Sequence, residues 1–121
     1  MATNMTTRQW DKIRNQVTVK AFAILNHEGS LLAKVRITRP SRMRTGMERF
    51  NAAVQVYVDG YSDACGYAGG CGYDKGAFAL SAALKALGAS QDACQDACQG
   101  RLVLSVCKAI GASQDANAVM L

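Results

Sequence analysis

The sequence predicts an α+β domain: one helix, a three-stranded antiparallel sheet, then two C-terminal helices on one sheet face. Three observations predict it. A helical apolar spacing near the start gives way to β-branched residues at Val17. Residues 33–38 alternate apolar and polar without a break, as a strand with one wet face requires. After Lys75 the chain turns rich in alanine and leucine at helical spacing. The 121 residues, half of them hydrophobic and 19 % charged, suit a single domain spanning 1–121. One proline and ordinary charge content exclude collagen, coiled coil and wholesale disorder. No apolar run reaches the length of a membrane span, and the opening residues lack a signal-peptide layout, so a soluble, cytoplasmic protein with no membrane partner is expected.

Thr6 or Thr7 caps a first helix through Gln16, with Trp10, Ile13 and Val17 on one narrow stripe and Trp10 as its anchor. Val17 to Leu25 reads as a strand, and Asn26-His27-Glu28-Gly29-Ser30 as the turn of a hairpin. In the second strand Ala33, Val35 and Ile37 alternate with Lys34, Arg36 and Thr38, and Pro40 ends it by removing a backbone donor. Residues 39–49 then form a mobile basic arm. A third strand runs from Phe50 to Asp59, so that Lys20, Lys34, Arg36, Gln55 and Tyr57 are expected to share the outer face of the sheet.

Residues 60–73 hold a six-residue repeat, Gly60-Tyr61-x3-Cys65, Gly66-Tyr67-x3-Cys71, Gly72-Tyr73, and such glycine density predicts a loop. Asp74 is the expected N-cap of a helix from Lys75 to Leu87 that Gly88 stops. Residues 79–93 return one residue shorter at 103–116, a tandem duplication of a helix, a Gly stop and a Ser cap. A second helix over 91–110, interrupted at Gly100, and a frayed tail over 112–121 follow from it.

The net charge of +5 is concentrated in one stretch. Lys34, Arg36, Arg39, Arg42, Arg44 and Arg49 stand there against Glu48 alone. Such clustering attracts phosphates or an acidic protein face at long range, and arginine's planar fork pairs bidentately with either. The cysteines are odd in number, Cys65, Cys71, Cys94, Cys98 and Cys107, which disfavours a disulfide framework. The spacings between Cys65 and Cys71 and between Cys94 and Cys98 are not those of a zinc knuckle, and the one histidine, His27, lies in a turn. No metal or cofactor is implied. His27 is set in a turn rather than a cleft, Asp59 and Asp63 lie in or beside the expected loop and pair only if the fold brings them together, and Lys75 is followed by Gly76-Ala77 where a phosphate loop needs Ser or Thr after its lysine. A weaker anion site at Gly69, Gly70 and Gly72 with Lys75 competes with Asp74 for the same helix donors.

Gly69-Gly70-Cys71-Gly72-Tyr73-Asp74-Lys75, leading into Ala77-Phe78-Ala79-Leu80-Ser81-Ala82-Ala83-Leu84, resembles a motif of small accessory proteins of bacteriophages and plasmids, some of which act against host defences as anti-CRISPR inhibitors. The likeness covers about twenty residues. The order helix, three strands, helix, with Gly72-Tyr73-Asp74-Lys75 opening the second helix, is similar to a double-stranded-RNA-binding domain, a family that reads A-form shape and phosphates rather than sequence. The first resemblance implies a non-enzymatic protein that inhibits a host defence complex by binding it through the basic strand and arm. The second implies direct contact with DNA or RNA phosphates through the same surface. In both, the partner is an acidic macromolecule and the binding residues are Lys34, Arg36, Arg39, Arg42, Arg44, Arg49, Tyr57 and Lys75. The tyrosines Tyr61, Tyr67 and Tyr73 are further candidates for stacking on bases.

Overall fold

Thr6 opens the first helix, α1 (Thr7–Asn15), through a reciprocal cap: its hydroxyl accepts from the Gln9 backbone N–H at 3.2 Å, and its own N–H donates to Gln9 Oε1 at 2.9 Å. The chain then runs through β1 (Val17–Leu25), β2 (Leu31–Arg39), β3 (Arg49–Val58) and β4 (Tyr61–Cys71). Three helices follow, α2 (Ala77–Ala86), α3 (Gln91–Cys98) and α4 (Leu102–Ile110), and β5 (Asn117–Met120) comes last. The structure, a computed structural model, describes residues 5–42, 49–71, 76–113 and 116–121. The expected basic arm therefore falls largely outside the described residues, as do Arg44, Tyr73, Asp74 and Lys75.

The sheet is antiparallel in the order β4-β3-β2-β1-β5, so it has five strands and the expected three-stranded sheet is wrong. The segment read as a glycine loop is β4, paired with β3 from Arg49↔Cys71 to Val58↔Tyr61. Asp59 and Gly60 make the turn between them with φ of 51° and 83°, the positive-φ pair that a two-residue hairpin uses to match strand twist. The expected frayed tail contains β5, whose residues Asn117–Met120 pair with Phe22–Leu25. Its four side chains are exposed, so the backbone ladder to β1 is what holds it.

The first hairpin forms where expected. Asn26 Oδ1 accepts from the N–H groups of Glu28 and Ser30, each at 2.9 Å, and Gly29 supplies a φ of 84°. At the C-terminal end, Gly100 divides the expected long helix into α3 and α4, making three helices on that side rather than two. Ser90 caps α3, its hydroxyl accepting from Ala93 N–H at 3.3 Å. The second helix begins at Ala77 after Gly76, whose φ is 98°.

The main core lies between the sheet and α2–α4. Phe22, Ile24, Ala33, Val35, Ile37, Ala52 and Val54 meet Ala79, Leu80, Ala83, Leu84, Ala97 and Val106, all of them buried. At ~25 cal/mol per Å² this burial is the principal stabilising contribution. A smaller cluster on the other side, Met5, Ile13, Ala53 and Cys65 with half-buried Trp10 and Tyr67, holds α1 against the sheet. One short helix covers only part of that second face, and among the described residues no other element covers the rest.

Candidate functional site

Register decides which charged residues meet on the open face. Directly opposed residues of an antiparallel pair point to the same side. Lys34 stands opposite Gln55, Arg36 opposite Ala53, and Ala53 opposite Tyr67, so Lys34, Arg36, Gln55 and Tyr57 share the face that carries α1. Arg36 has an alanine on either side of it, Ala21 on β1 and Ala53 on β3. Two small residues flanking a long cationic one leave a trough beside the arginine. The wall is α1, through Trp10, Ile13 and Arg14. Together these residues line a groove of about 270 Å³ with an apolar floor, three cations (Arg14, Lys34 and Arg36) and the Gln55 amide.

Lys34 Nζ lies 6.0 Å from the centre of the Tyr57 ring, at the outer limit of a cation–π contact. Burial, and to a lesser degree the neighbouring Cys65, raises the Tyr57 pKa above its ordinary value. Lys34 and Arg36 are exposed and form no ion pair with any described carboxylate. Arg14 is shared with Asp11 on its own helix at 3.8 Å, a weak exposed contact.

On the far side of α1 a second cleft of about 580 Å³ is lined by Lys12, Arg49, Gln16, Asn51, Tyr67 and the Gly69-Gly70 backbone. A polar network anchors it. Gln16 Oε1 accepts from Thr38 Oγ1 at 2.8 Å and from Asn51 Nδ2 at 2.7 Å, and Tyr67 Oη donates to Asn51 Oδ1 at 3.0 Å. Thr38 and Asn51 are buried, so these bonds satisfy groups that would otherwise be stranded away from water.

Of the eight residues predicted to bind, Arg44 and Lys75 lie outside the described residues, and the other six do not form one patch. Lys34, Arg36 and Tyr57 converge. Arg49, opposite Cys71, lies on the same face but lines the second cleft. Strand alternation turns Arg39 to the side of Ile37, toward the helices, where its Nη1 donates to the Pro40 carbonyl at 3.0 Å. Arg42 is exposed beyond Pro40. Lys20 also leaves the expected face: a bulge between Thr18 and Lys20 sets it opposite Ile37. Tyr67 is held inside the α1 cluster, and Tyr61 sits 79 % exposed at the hairpin end. Gly69 and Gly70 belong to β4 and so form no anion loop ahead of a helix. Cys65 faces α1, whereas Cys94 and Cys98 lie on α3 across the sheet, so these cysteines do not assemble into one site.

Sequence reasoning missed Trp10 and Arg14 as groove residues, and it placed Gln55 on this face without counting it among the binding residues. The signal was present, since Trp10 and Arg14 are four apart and share a helix face. What it lacked was knowledge that α1 crosses the polar side of the sheet. No family model, no curated protein and no solved structure matches this chain. Among the described residues, no helix is long and apolar enough to cross a membrane.

Proposed function

We propose that this chain is a non-enzymatic binding module that holds the phosphate backbone of a nucleic acid on the open face of its sheet. One observation carries the reading: Lys34 and Arg36, without a described carboxylate partner, stand beside an apolar trough whose opposite wall adds Arg14 and Trp10. Cations next to aromatic and apolar surface suit a polymer that is anionic along its backbone and flat along its bases. Anisotropy of a labelled oligonucleotide, titrated at several salt concentrations, tests it. Binding should weaken with a log–log salt slope of about −2 if three cations meet single-strand phosphates. Absence of binding at low salt overturns the reading.

A second reading follows from the motif resemblance, in which the cations dock on an acidic face of a host defence complex and block it. Arg39 and Arg42 favour it, because they carry positive charge at the end of β2 and just beyond it, away from the groove. An acidic protein surface can engage both sides of a strand end, whereas the trough admits only what enters from one face. Under this reading free nucleic acid does not bind, and Arg39→Ala and Arg42→Ala weaken capture of the complex from phage-host lysate as much as Arg36→Ala does.

A further inference from the structure

The groove has features that a phosphate-binding surface alone does not require. Its floor is apolar, made by Ala21 and Ala53, with Ile13 of the wall and Leu121 also lining it. Its rim offers the Gln55 amide, which presents a donor and an acceptor together. Its wall carries Trp10, half-buried and therefore held in place by the cluster beneath it. Its volume, about 270 Å³, falls just below the range for small-molecule pockets of roughly 300–1,000 Å³, which leaves room for one base and its sugar but not for a dinucleotide. Tyr57 lies two residues beyond Gln55 on β3, a rise of about 7 Å and within reach of the next base of an extended strand.

Resting on the nucleic-acid reading above, we propose that the groove takes one unpaired base of a single strand, seated against Trp10 and read at its edge by Gln55, with Arg14, Lys34 and Arg36 on the flanking phosphates. Duplex is the disfavoured ligand. In a double helix the bases are stacked and paired inside and the phosphates lie on a convex surface, while two of these cations rise from the sheet beside a helix that stands over it. A strand with an unpaired base can enter that recess; a paired base reaches it only by leaving the stack, which opposes binding by a few kcal/mol.

Trp10 is the one tryptophan of the chain, so its fluorescence reports on the groove without labelling the protein. The experiment titrates the full chain with oligothymidylate of about 12 nucleotides and with a duplex of the same length, following tryptophan emission and labelled-DNA anisotropy together. The expected result is saturable quenching by the single strand in step with anisotropy, and at least tenfold weaker binding of duplex. Gln55→Ala should weaken the single strand about tenfold and leave the duplex value unchanged, with a thermal melt verifying that the variant is folded. Equal binding of both forms with unquenched emission overturns the base-binding groove and leaves phosphate binding standing. No anisotropy change with either form overturns the nucleic-acid reading itself, and the groove proposal with it.

Discussion

Gly66 lies directly beneath Ala83, so close that a side-chain methyl at Gly66 would run into the Ala83 carbonyl oxygen. One turn earlier on the helix, a methyl at Gly70 would stand 3.0 Å from the Ala79 backbone nitrogen. The two glycines occupy the helix side of β4, and Ala79 and Ala83 the sheet side of α2. Small residues on both surfaces let the helix backbone settle onto the strand, which gives the glycine-rich repeat a packing role instead of a loop role.

Gly66→Ala should therefore destabilise the fold by about 1–3 kcal/mol, the range for overpacking, because the obstacle is backbone and has no rotamer to yield. Gly69→Ala is its control. It points to the other face of the same strand, where its nearest neighbour is the Asn51 side-chain oxygen at 3.2 Å, a side chain that has to give by only a few tenths of an ångström. Urea unfolding should give a lowered midpoint at unchanged slope for Gly66→Ala and a much smaller change for Gly69→Ala. Equal effects would mean that glycine content, and not the approach of α2, explains the repeat.

The N-terminal half of the fold was legible because its signals are local. Capping at Thr6, the Asn26 turn, alternation from Ala33 to Thr38 and the stop at Pro40 each depend on neighbours in sequence, and each appears at its expected place. β4 was misread because glycine's low strand preference outweighed the Asp59-Gly60 pair, itself a strong hairpin signal. The reason glycine is tolerated there, a helix that meets Gly66 at Ala83 and Gly70 at Ala79, is tertiary. The missing half of the groove has the same cause. Lys34 and Arg36 were visible as an alternating polar face, but that Arg14 and Trp10 lie across from them depends on where α1 packs.

Gln16 closes α1 and ties it to two strands, so its loss should act on stability and on the groove together. Gln16→Ala leaves the buried Thr38 hydroxyl and Asn51 amide without their acceptor, and each stranded group costs about 1–3 kcal/mol. Thr6→Ala removes the reciprocal cap at the other end of α1 and should cost about 1 kcal/mol. Thermal melts rank the two, and tryptophan emission shifts to the red only if Trp10 leaves its packed position. An unshifted spectrum in Gln16→Ala would show that the Met5–Ile13 cluster alone suffices to hold the helix.

Stability should decline on the alkaline side. Buried Asp96 on α3 faces Lys108 on α4, with Nζ 2.6 Å from its Oδ2, and exposed Asp92 lies 2.9 Å from the same ammonium. Hydrogen bonds to Asp96 and then Asp92 raise the Lys108 pKa above its ordinary 10.5, and burial raises that of Cys107 above its ordinary 9.0. Both groups keep their proton longer in the folded chain than in the unfolded one, so their contribution is whole below the unfolded values and is lost as pH climbs through the folded ones. Denaturant midpoints should be flat from neutral pH to about 9 and fall beyond it. Lys108→Met should lower the midpoint at neutral pH, with the gap to the parent closing as pH passes 10.5. A constant gap would assign the effect to lost packing of the lysine stem.

The placement of Arg39 separates the groove from the basic stretch in which the sequence embeds it. If the open face binds nucleic acid, charge removal should matter by face and not by position in the run. Lys34→Ala, Arg36→Ala and Arg14→Ala should each weaken oligonucleotide binding and flatten the salt slope by roughly 0.7, the increment for one lost phosphate contact on a single strand. Arg39→Ala, on the helix side and bonded to the Pro40 carbonyl, should leave both affinity and slope near the parent values. All four positions carry the same charge and lie outside the main core, so net charge is lowered equally in each variant. Identical losses at all four would point to a diffuse field around the strand end, in which case the trough beside Arg36 has no part in binding.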